Sequence, residues 1–408
     1  MTAEASSAAT VSGPPAAYPH RWAAAVVLMA GSLMDLLDAT VVNVALPTIQ
    51  RDLHASGTAL EWISAAYLLT FAVVLITAGR LGDRYGRKRV FLTAVTVFGV
   101  ASLCCGLAQD PAELIASRAV QGLAAAGIAP QVLSTLQATF HGKERGIMFG
   151  LFGMVGGVAQ ALGVTLGGVL TSADLAGLGW RTIFFVNVPV AALLVASGSW
   201  AVPETRQPGA TLPDPLGVGV LTAGLIAIVF PLLEGRALGW PAWCWFCLAA
   251  GAAAVAGLGI AGARRGGSNR GVLLPVALFR VRSFTTGLIV FLLFMASLNG
   301  FLLVFTLWLQ DGEGFTPLHA GLVTMAFSAG TLLTAVPAGR LTARYGRLVI
   351  ITGCATFAAG AIGVLAAART TTHGIDAWSI VPGLLVLGAG LSLIVVPLVS
   401  VVMSTVPP

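Results

Sequence analysis

The sequence predicts an all-α polytopic membrane protein, and three observations predict it. Of its 408 residues, 57% are hydrophobic and only 9% charged, with a mean hydropathy of +0.91, whereas a soluble domain carries about 25% charged residues. The apolar residues fall in long runs, and a helix needs roughly 20 of them to cross the hydrocarbon core. A basic segment, Gly79 to Val90 (GRLGDRYGRKRV), recurs at Gly339 to Ile350 (GRLTARYGRLVI) with seven of twelve positions identical, each time between two apolar runs. A polar segment repeated between membrane-length stretches is the internal symmetry of a chain built from helical repeats.

Measured against that length, twelve segments qualify: Trp22 to Leu46, Trp62 to Ala78, Val90 to Leu107, Glu113 to Phe140, Ile147 to Leu170, Thr182 to Val202, Leu216 to Leu233, Ala242 to Ala263, Phe284 to Leu309, Leu318 to Ala338, Leu348 to Ala368 and Ala377 to Met403. The net charge is +6 and the pI near 9.4. With the N-terminus inside, these segments leave 17 of the 22 Lys and Arg residues on the cytoplasmic side, four outside (Arg51, Arg181, Arg236, Arg369), and Arg118 within the membrane. That asymmetry is the positive-inside rule, so the basic pI reports orientation rather than a nucleic-acid partner.

Met1 to His20, rich in Ala, Ser and Pro, has no apolar core and reads as a disordered cytoplasmic tail rather than a cleaved signal. The first helix then carries two acids, Asp35 and Asp38. A carboxylate at mid-membrane costs about 2.5 to 3.5 kcal/mol on insertion scales, so it faces a bundle interior or wet cavity and is a functional candidate. Spacing i, i+3 sets both on one helical face. The bland alternative is a pair neutralised by Ser and Thr neighbours.

Helix two carries Tyr67 and Thr70 and leads into the basic segment. There the spacing of Gly79, Asp83, Arg84, Gly86, Arg87 and Lys88 resembles the hallmark loop of the major facilitator superfamily, and Gly339, Arg340, Arg344, Gly346 and Arg347 repeat it. The resemblance implies a cytoplasmic gate in which Asp83 bonds to the opposite half of the protein; the alternative is that Asp83 only offsets Arg80, Arg84 and Arg87. In the first helix, LLDATVVNVALP resembles the corresponding motif of the 14-helix drug:proton antiporter family, which retains the aspartate at Asp38.

Helix four contains Arg118 in SRAVQG, resembling the family's arginine followed by Gln-Gly. At a rise of about 1.5 Å per residue, Arg118 lies about 8 to 9 Å below the outer end of its helix and Asp38 about 13 Å below Pro47. The two meet at similar depth, and pairing among Asp35, Asp38 and Arg118 is the cheapest arrangement for buried charges. Contact with the arginine that comes and goes with access would switch a carboxylate's proton affinity.

Helix five is dense in glycine, with small-xxx-small spacings at Gly153 to Gly157 and Gly163 to Gly167, which suit a close helix crossing. The run Gly163-Val164-Thr165-Leu166-Gly167-Gly168 resembles the exporter motif of the family, with Val164 in place of its proline. Trp180 to Pro189 (WRTIFFVNVP) and Leu278-Phe279-Arg280 with Arg282-Ser283-Phe284 also resemble the drug antiporters. Pro203 to Pro215 reads as a turn-rich linker.

The two basic segments start 260 residues apart, and the second follows helix ten. Two added helices therefore intervene between repeats. The expected architecture is a tail (1–20), a six-helix N-terminal bundle (21–202), a linker with two extra helices (203–270) and a partial C-terminal bundle (271–408). The resemblance implies 14 helices where 12 are found, so the chain is expected to be C-terminally truncated.

No Walker A run, metal-spaced His, Cys and acid cluster or G-x-S-x-G nucleophile occurs, so no cofactor and no enzyme activity are expected. Cys244-x-x-Cys247 reads as small packing residues. The resulting expectation is proton-coupled efflux of hydrophobic drug-like or antibiotic compounds across the plasma membrane, with small-molecule substrate, protons and lipid as partners. Asp38 would exchange the proton, Arg118 would tune it and Asp35 would assist. Transport of one dedicated metabolite, or a truncated membrane protein that does not transport, are the alternatives.

Overall fold

The computed structural model describes residues 18–172, 177–207, 214–235, 237–264, 282–315, 317–370 and 377–404. The tail before Tyr18, most of the stretch between Gln207 and Asp214, the Leu278-Phe279-Arg280 signature and the terminal Val406-Pro407-Pro408 lie outside the described residues. All regular elements among the described residues are helices: α1 (Arg21–Leu53), α2 (Gly57–Tyr85), α3 (Arg87–Leu107), α4 (Pro111–Thr139), α5 (Gly142–Ser172), α6 (Thr182–Phe185), α7 (Asn187–Ala201), α8 (Pro215–Glu234), α9 (Ala242–Arg264), α10 (Arg282–Leu307), α11 (Pro317–Tyr345), α12 (Arg347–Thr370) and α13 (Ala377–Ser404). Eleven spans among the described residues are long and apolar enough to cross a membrane. The 31-residue α5 runs among them, packed on α1 and α11.

Local chemistry sets the helix ends. Ser56 accepts a hydrogen bond from the Ala59 amide (3.2 Å) at the start of α2. Before α4, Asp110 accepts from the Glu113 amide (2.8 Å) while Glu113 reaches back to the Gln109 amide (2.9 Å), a reciprocal cap with Pro111 at the first helical position. The sixth span is split. Pro189 lacks an N–H and its ring opposes the carbonyl four residues back, which belongs to Phe185, so α6 stops there and α7 restarts at Asn187.

The basic segment differs from the expected loop. Helix α2 runs through Gly79, Asp83 and Tyr85, α3 begins at Arg87, and the whole connection is Gly86, held at φ 108°. The second copy turns on Gly346 at φ 52° between α11 and α12. A positive φ is available to glycine without Cβ cost, so one residue suffices where the sequence suggested a longer loop.

Two apolar clusters hold α1 to α7 together. One, around Phe91, Phe98 and Ile128, fills one end, and another, around Ile49, Trp180 and Phe184, fills the other. A third joins α10 to α13 around Phe327, Leu384 and Leu387. Helices α8 and α9 pack on each other, and α8 also lies on α2, where Trp62 Nε1 donates to Glu234 (2.5 Å).

Candidate functional site

The buried charged groups among the described residues, Asp35, Asp38 and Arg118, collect with several neutral polar side chains where α1, α2, α3, α4 and α7 meet. Helix α1 brings Asp38 and α4 brings Arg118, and each side chain is only 1% exposed. Arg118 donates from one terminal nitrogen to Asp38 Oδ2 and also to Gln121 Oε1 (2.7 Å), while its Nε donates to the Ile63 carbonyl (3.2 Å). Its guanidinium lies 4.2 Å from the centroid of the Tyr67 ring and 5.9 Å from that of Phe184. The cation is therefore enclosed by one carboxylate, two neutral oxygens and two ring faces.

The two oxygens of Asp38 are held differently. Oδ2 takes the guanidinium, whereas Oδ1 accepts two amide donors, Gln121 Nε2 and Asn187 Nδ2, both at 2.8 Å. Both amides also reach Ser102 Oγ, at 2.7 and 3.4 Å. Charge-assisted bonds of this kind are about twice as strong as neutral ones, which offsets burial of the pair.

Asp35 sits one turn earlier on the same face and is also buried, but it does not join the ion pair. Its Oδ1 accepts from the Tyr67 hydroxyl, which also lies 3.4 Å from the Asp35 carbonyl. The expected grouping of two acids with one arginine is thus split, with Tyr67 standing between them. Tyr67, Ser102, Gln121 and Asn187 were not selected as site residues from the sequence, and the family-like strings SRAVQG and WRTIFFVNVP, which contain two of them, were the available signal.

Helix α5 supports this region from behind. A Cβ added at Gly163 would overlap the Thr40 side chain, and one at Gly167 would lie 3.0 Å from the Val41 carbonyl and 3.1 Å from Val44 Cβ. Gly163 and Gly167 thus admit α1 immediately beyond Asp38, with Gly168 buried beside them.

At the α2–α3 corner, Asp83 pairs with Arg87 (2.8 Å), and Arg87 also donates to the Ser134 carbonyl (3.2 Å). Among the described residues the side-chain partner of Asp83 is thus four positions away across Gly86. The irregular stretch after α7 crosses the corner: Arg87 N donates to the Thr205 carbonyl (3.0 Å) and Gln207 N to the Asp83 carbonyl (3.1 Å). Arg84 lies against Tyr85, and in the second copy Arg344 lies against Tyr345, with Gly339, Arg340 and Arg347 on the same helix ends.

The two copies pack alike but differ in chemistry. Gly122 of α4 abuts the Tyr67 carbonyl, and Gly388 of α13 abuts the Phe327 carbonyl; Gly79 faces Pro130, and Gly339 faces Val396. With these spacings, Tyr67, Arg118 and Gln121 correspond to Phe327, Leu384 and Leu387, all buried in the third apolar cluster. One packing frame holds a buried arginine and glutamine in the first copy and leucines in the second.

The Major Facilitator Superfamily model matches residues 28–408. The chain is 37% identical to the probable actinorhodin transporter of Streptomyces coelicolor over 95% of its own length and 67% of that protein's. It is 32% identical to the puromycin resistance protein pur8 of Streptomyces alboniger over 96% of its length and 76% of that protein's. The chain therefore spans about two thirds to three quarters of these curated relatives. Its fold is similar to that of the major facilitator proton:xylose symporter XylE (TM-score 0.65, 15% identity, covering 95% of this chain and 82% of that one). This multi-pass membrane protein belongs to the Major Facilitator Superfamily.

Proposed function

We propose that the protein exports hydrophobic drug-like or antibiotic compounds across the plasma membrane, driven by protons, by alternating access between its two helical halves. The observation that carries this reading is the buried Asp38–Arg118 ion pair in a membrane helix bundle, the place where an acid can trade an arginine for a proton. The relatives named for actinorhodin transport and puromycin resistance support the substrate class. The driving force is ample: a proton carries roughly 2.3 kcal/mol per 100 mV and about 1.4 kcal/mol per pH unit.

In this mechanism Asp38 exchanges the proton, Arg118 neutralises it when charged, and Asp35 with Tyr67 forms a second polar station on the same helix face. The α2–α3 and α11–α12 corners gate the cytoplasmic side, and Gly163, Gly167 and Gly168 let α1 and α5 slide at close range. The lopsided distribution of Lys and Arg supports a cytoplasmic N-terminus. We propose the division into tail (1–20), first bundle (21–202), linker with two helices (203–270) and second bundle (271–408).

The test is efflux of ethidium, a lipophilic dye cation, from proteoliposomes under an imposed pH gradient. Asp38→Asn is expected to abolish the dependence on the gradient while leaving the protein folded. Unchanged transport with unchanged pH dependence in that variant would remove the proposal.

A further inference from the structure

We infer that Asn187 reads the protonation state of Asp38 by turning its side-chain amide over, an inference that rests on Asp38 being the proton site. The argument is one of donors and acceptors. In the structure every group aimed at the Asp38 carboxylate is a donor: Arg118 at Oδ2, Gln121 Nε2 and Asn187 Nδ2 at Oδ1. A carboxylate is an acceptor only, so this shell suits the charged form. Once protonated, Asp38 becomes a donor as well, and its new O–H meets a ring of N–H groups with nothing to accept it. A buried donor without a partner costs about 1 to 3 kcal/mol, so one neighbour must reverse.

Arg118 has no acceptor to offer. Gln121 is committed at both ends: Oε1 takes Arg118 Nη1 (2.7 Å) and the Cys105 thiol (3.6 Å), while Nε2 donates to Ser102 (2.7 Å). Turning it would set an NH₂ against the guanidinium. Asn187 carries no such commitment. Its Nδ2 holds Asp38 and Ser102, and among the described residues its Oδ1 holds no partner that a turn of the amide would give up. Rotation by half a turn about its last side-chain bond, a broad two-fold torsion, presents Oδ1 to the Asp38 O–H. Ser102 follows at no cost in partners, because a hydroxyl can donate to that same Oδ1 as readily as it accepted from Nδ2.

The same accounting says why the pair can open. With Asp38 neutral, Arg118 still holds the Ile63 carbonyl, Gln121 Oε1 and the Tyr67 ring, so the cation is not left bare. Asn187 is the first residue of α7, placed there by the break that Pro189 imposes, so a reversal at this amide is passed to the start of a helix. The titratable and charged groups around Asp38 are Asp35 on α1, Tyr67 on α2, Cys105 on α3 and Arg118 on α4. Helices α6 and α7 bring none, and α5 carries its charges only in its first turn, at Lys143, Glu144 and Arg145. Asn187 is thus a positioning residue for the proton step, acting through Asp38.

Infrared difference spectra of the purified protein between high and low pH test this. The protonated-acid C=O stretch of Asp38 is the band lost in Asp38→Asn. In Asn187→Leu, close in size and unable to accept, that band is expected at higher wavenumber, and the pH profile of ethidium efflux is expected to shift. An acid band at the parent frequency in Asn187→Leu would overturn the inference. Should that variant not fold, the unsubstituted protein decides: a side-chain amide carbonyl band must change in step with the Asp38 band, and its constancy overturns the inference equally. A spectrum with no band lost in Asp38→Asn removes the proton reading itself, which is a separate failure.

Discussion

The Arg118 guanidinium lies 4.2 Å from the centroid of the Tyr67 ring, and the hydroxyl of the same ring donates to Asp35. One phenol therefore touches the arginine with its face and the second acid with its edge. Tyr67→Phe keeps the face and removes the donor, leaving a buried carboxylate without a hydrogen-bond partner among the described residues. A loss of about 1 to 3 kcal/mol in unfolding free energy is expected. Tyr67→Leu removes the face as well and should cost more, since a desolvated cation–π contact contributes on the order of 2 kcal/mol. Denaturant unfolding in detergent measures both; a Tyr67→Phe protein as stable as the parent would show that Asp35 does not need the hydroxyl.

The second copy of the fold supplies a design for the first. Leu384 occupies the place of Arg118 and is buried at 1% exposure, and Leu298 lies in the same apolar cluster at 4%. Removing one member of a buried ion pair costs roughly 3 to 5 kcal/mol, whereas replacing the pair with packed apolar residues is often neutral. Asp38→Leu alone and Arg118→Leu alone should each destabilise by that amount, while the double variant recovers most of the loss and transports nothing. The thermal midpoints of the three proteins in one detergent decide it. Additive losses in the double variant would mean that the pair is not an energetic unit.

These two relationships show what could be read in the sequence. Asp38 and Arg118 stand out because a charge inside an apolar run is expensive, and helix rise alone brings them to one level. Tyr67, Ser102, Gln121 and Asn187 do not stand out. A single neutral polar residue costs a membrane helix little and leaves no periodic trace, and their convergence depends on which faces of five helices meet. The corner at Gly86 was hidden for a different reason: five basic residues in ten look like a loop, yet all five lie within the flanking helices and only the glycine's φ makes the turn. The repeat itself was fully legible, but its chemical asymmetry became visible only once Gly388 was seen to occupy the place of Gly122.

Gly163 tests the α1–α5 crossing. Its missing Cβ makes room for the Thr40 side chain, whose hydroxyl bonds back to the Leu37 carbonyl (3.0 Å). Gly163→Ala should force the helices apart at about 1 to 3 kcal/mol, the usual cost of overpacking. Thr40→Gly clears the obstructing atoms, so the double variant Thr40→Gly, Gly163→Ala should recover part of that loss despite the helix penalty of the new glycine. A double-variant cycle with no coupling would place the strain elsewhere.

The two corners separate backbone geometry from sequence similarity. Gly346 has φ 52°, inside the left-handed helical region, and a Cβ there meets nothing within 4 Å. Asparagine tolerates that region, so Gly346→Asn should cost no more than about 1 to 2 kcal/mol. Gly86, its counterpart, has φ 108° and ψ 129°, a conformation that residues with a Cβ avoid, and the added atom would run into the Glu204 carboxylate. That carboxylate accepts from the Lys88 amide (3.3 Å) at the start of α3, so displacing it also removes a helix-end partner. Gly86→Asn should therefore cost about 1 to 3 kcal/mol in backbone strain alone and loosen the contact between the corner and the stretch after α7. Unfolding free energies give the first effect, and hydrogen exchange at the Arg87 amide, which donates to the Thr205 carbonyl, gives the second. Equal effects at the two glycines would mean that the conformational difference between the corners has no energetic consequence.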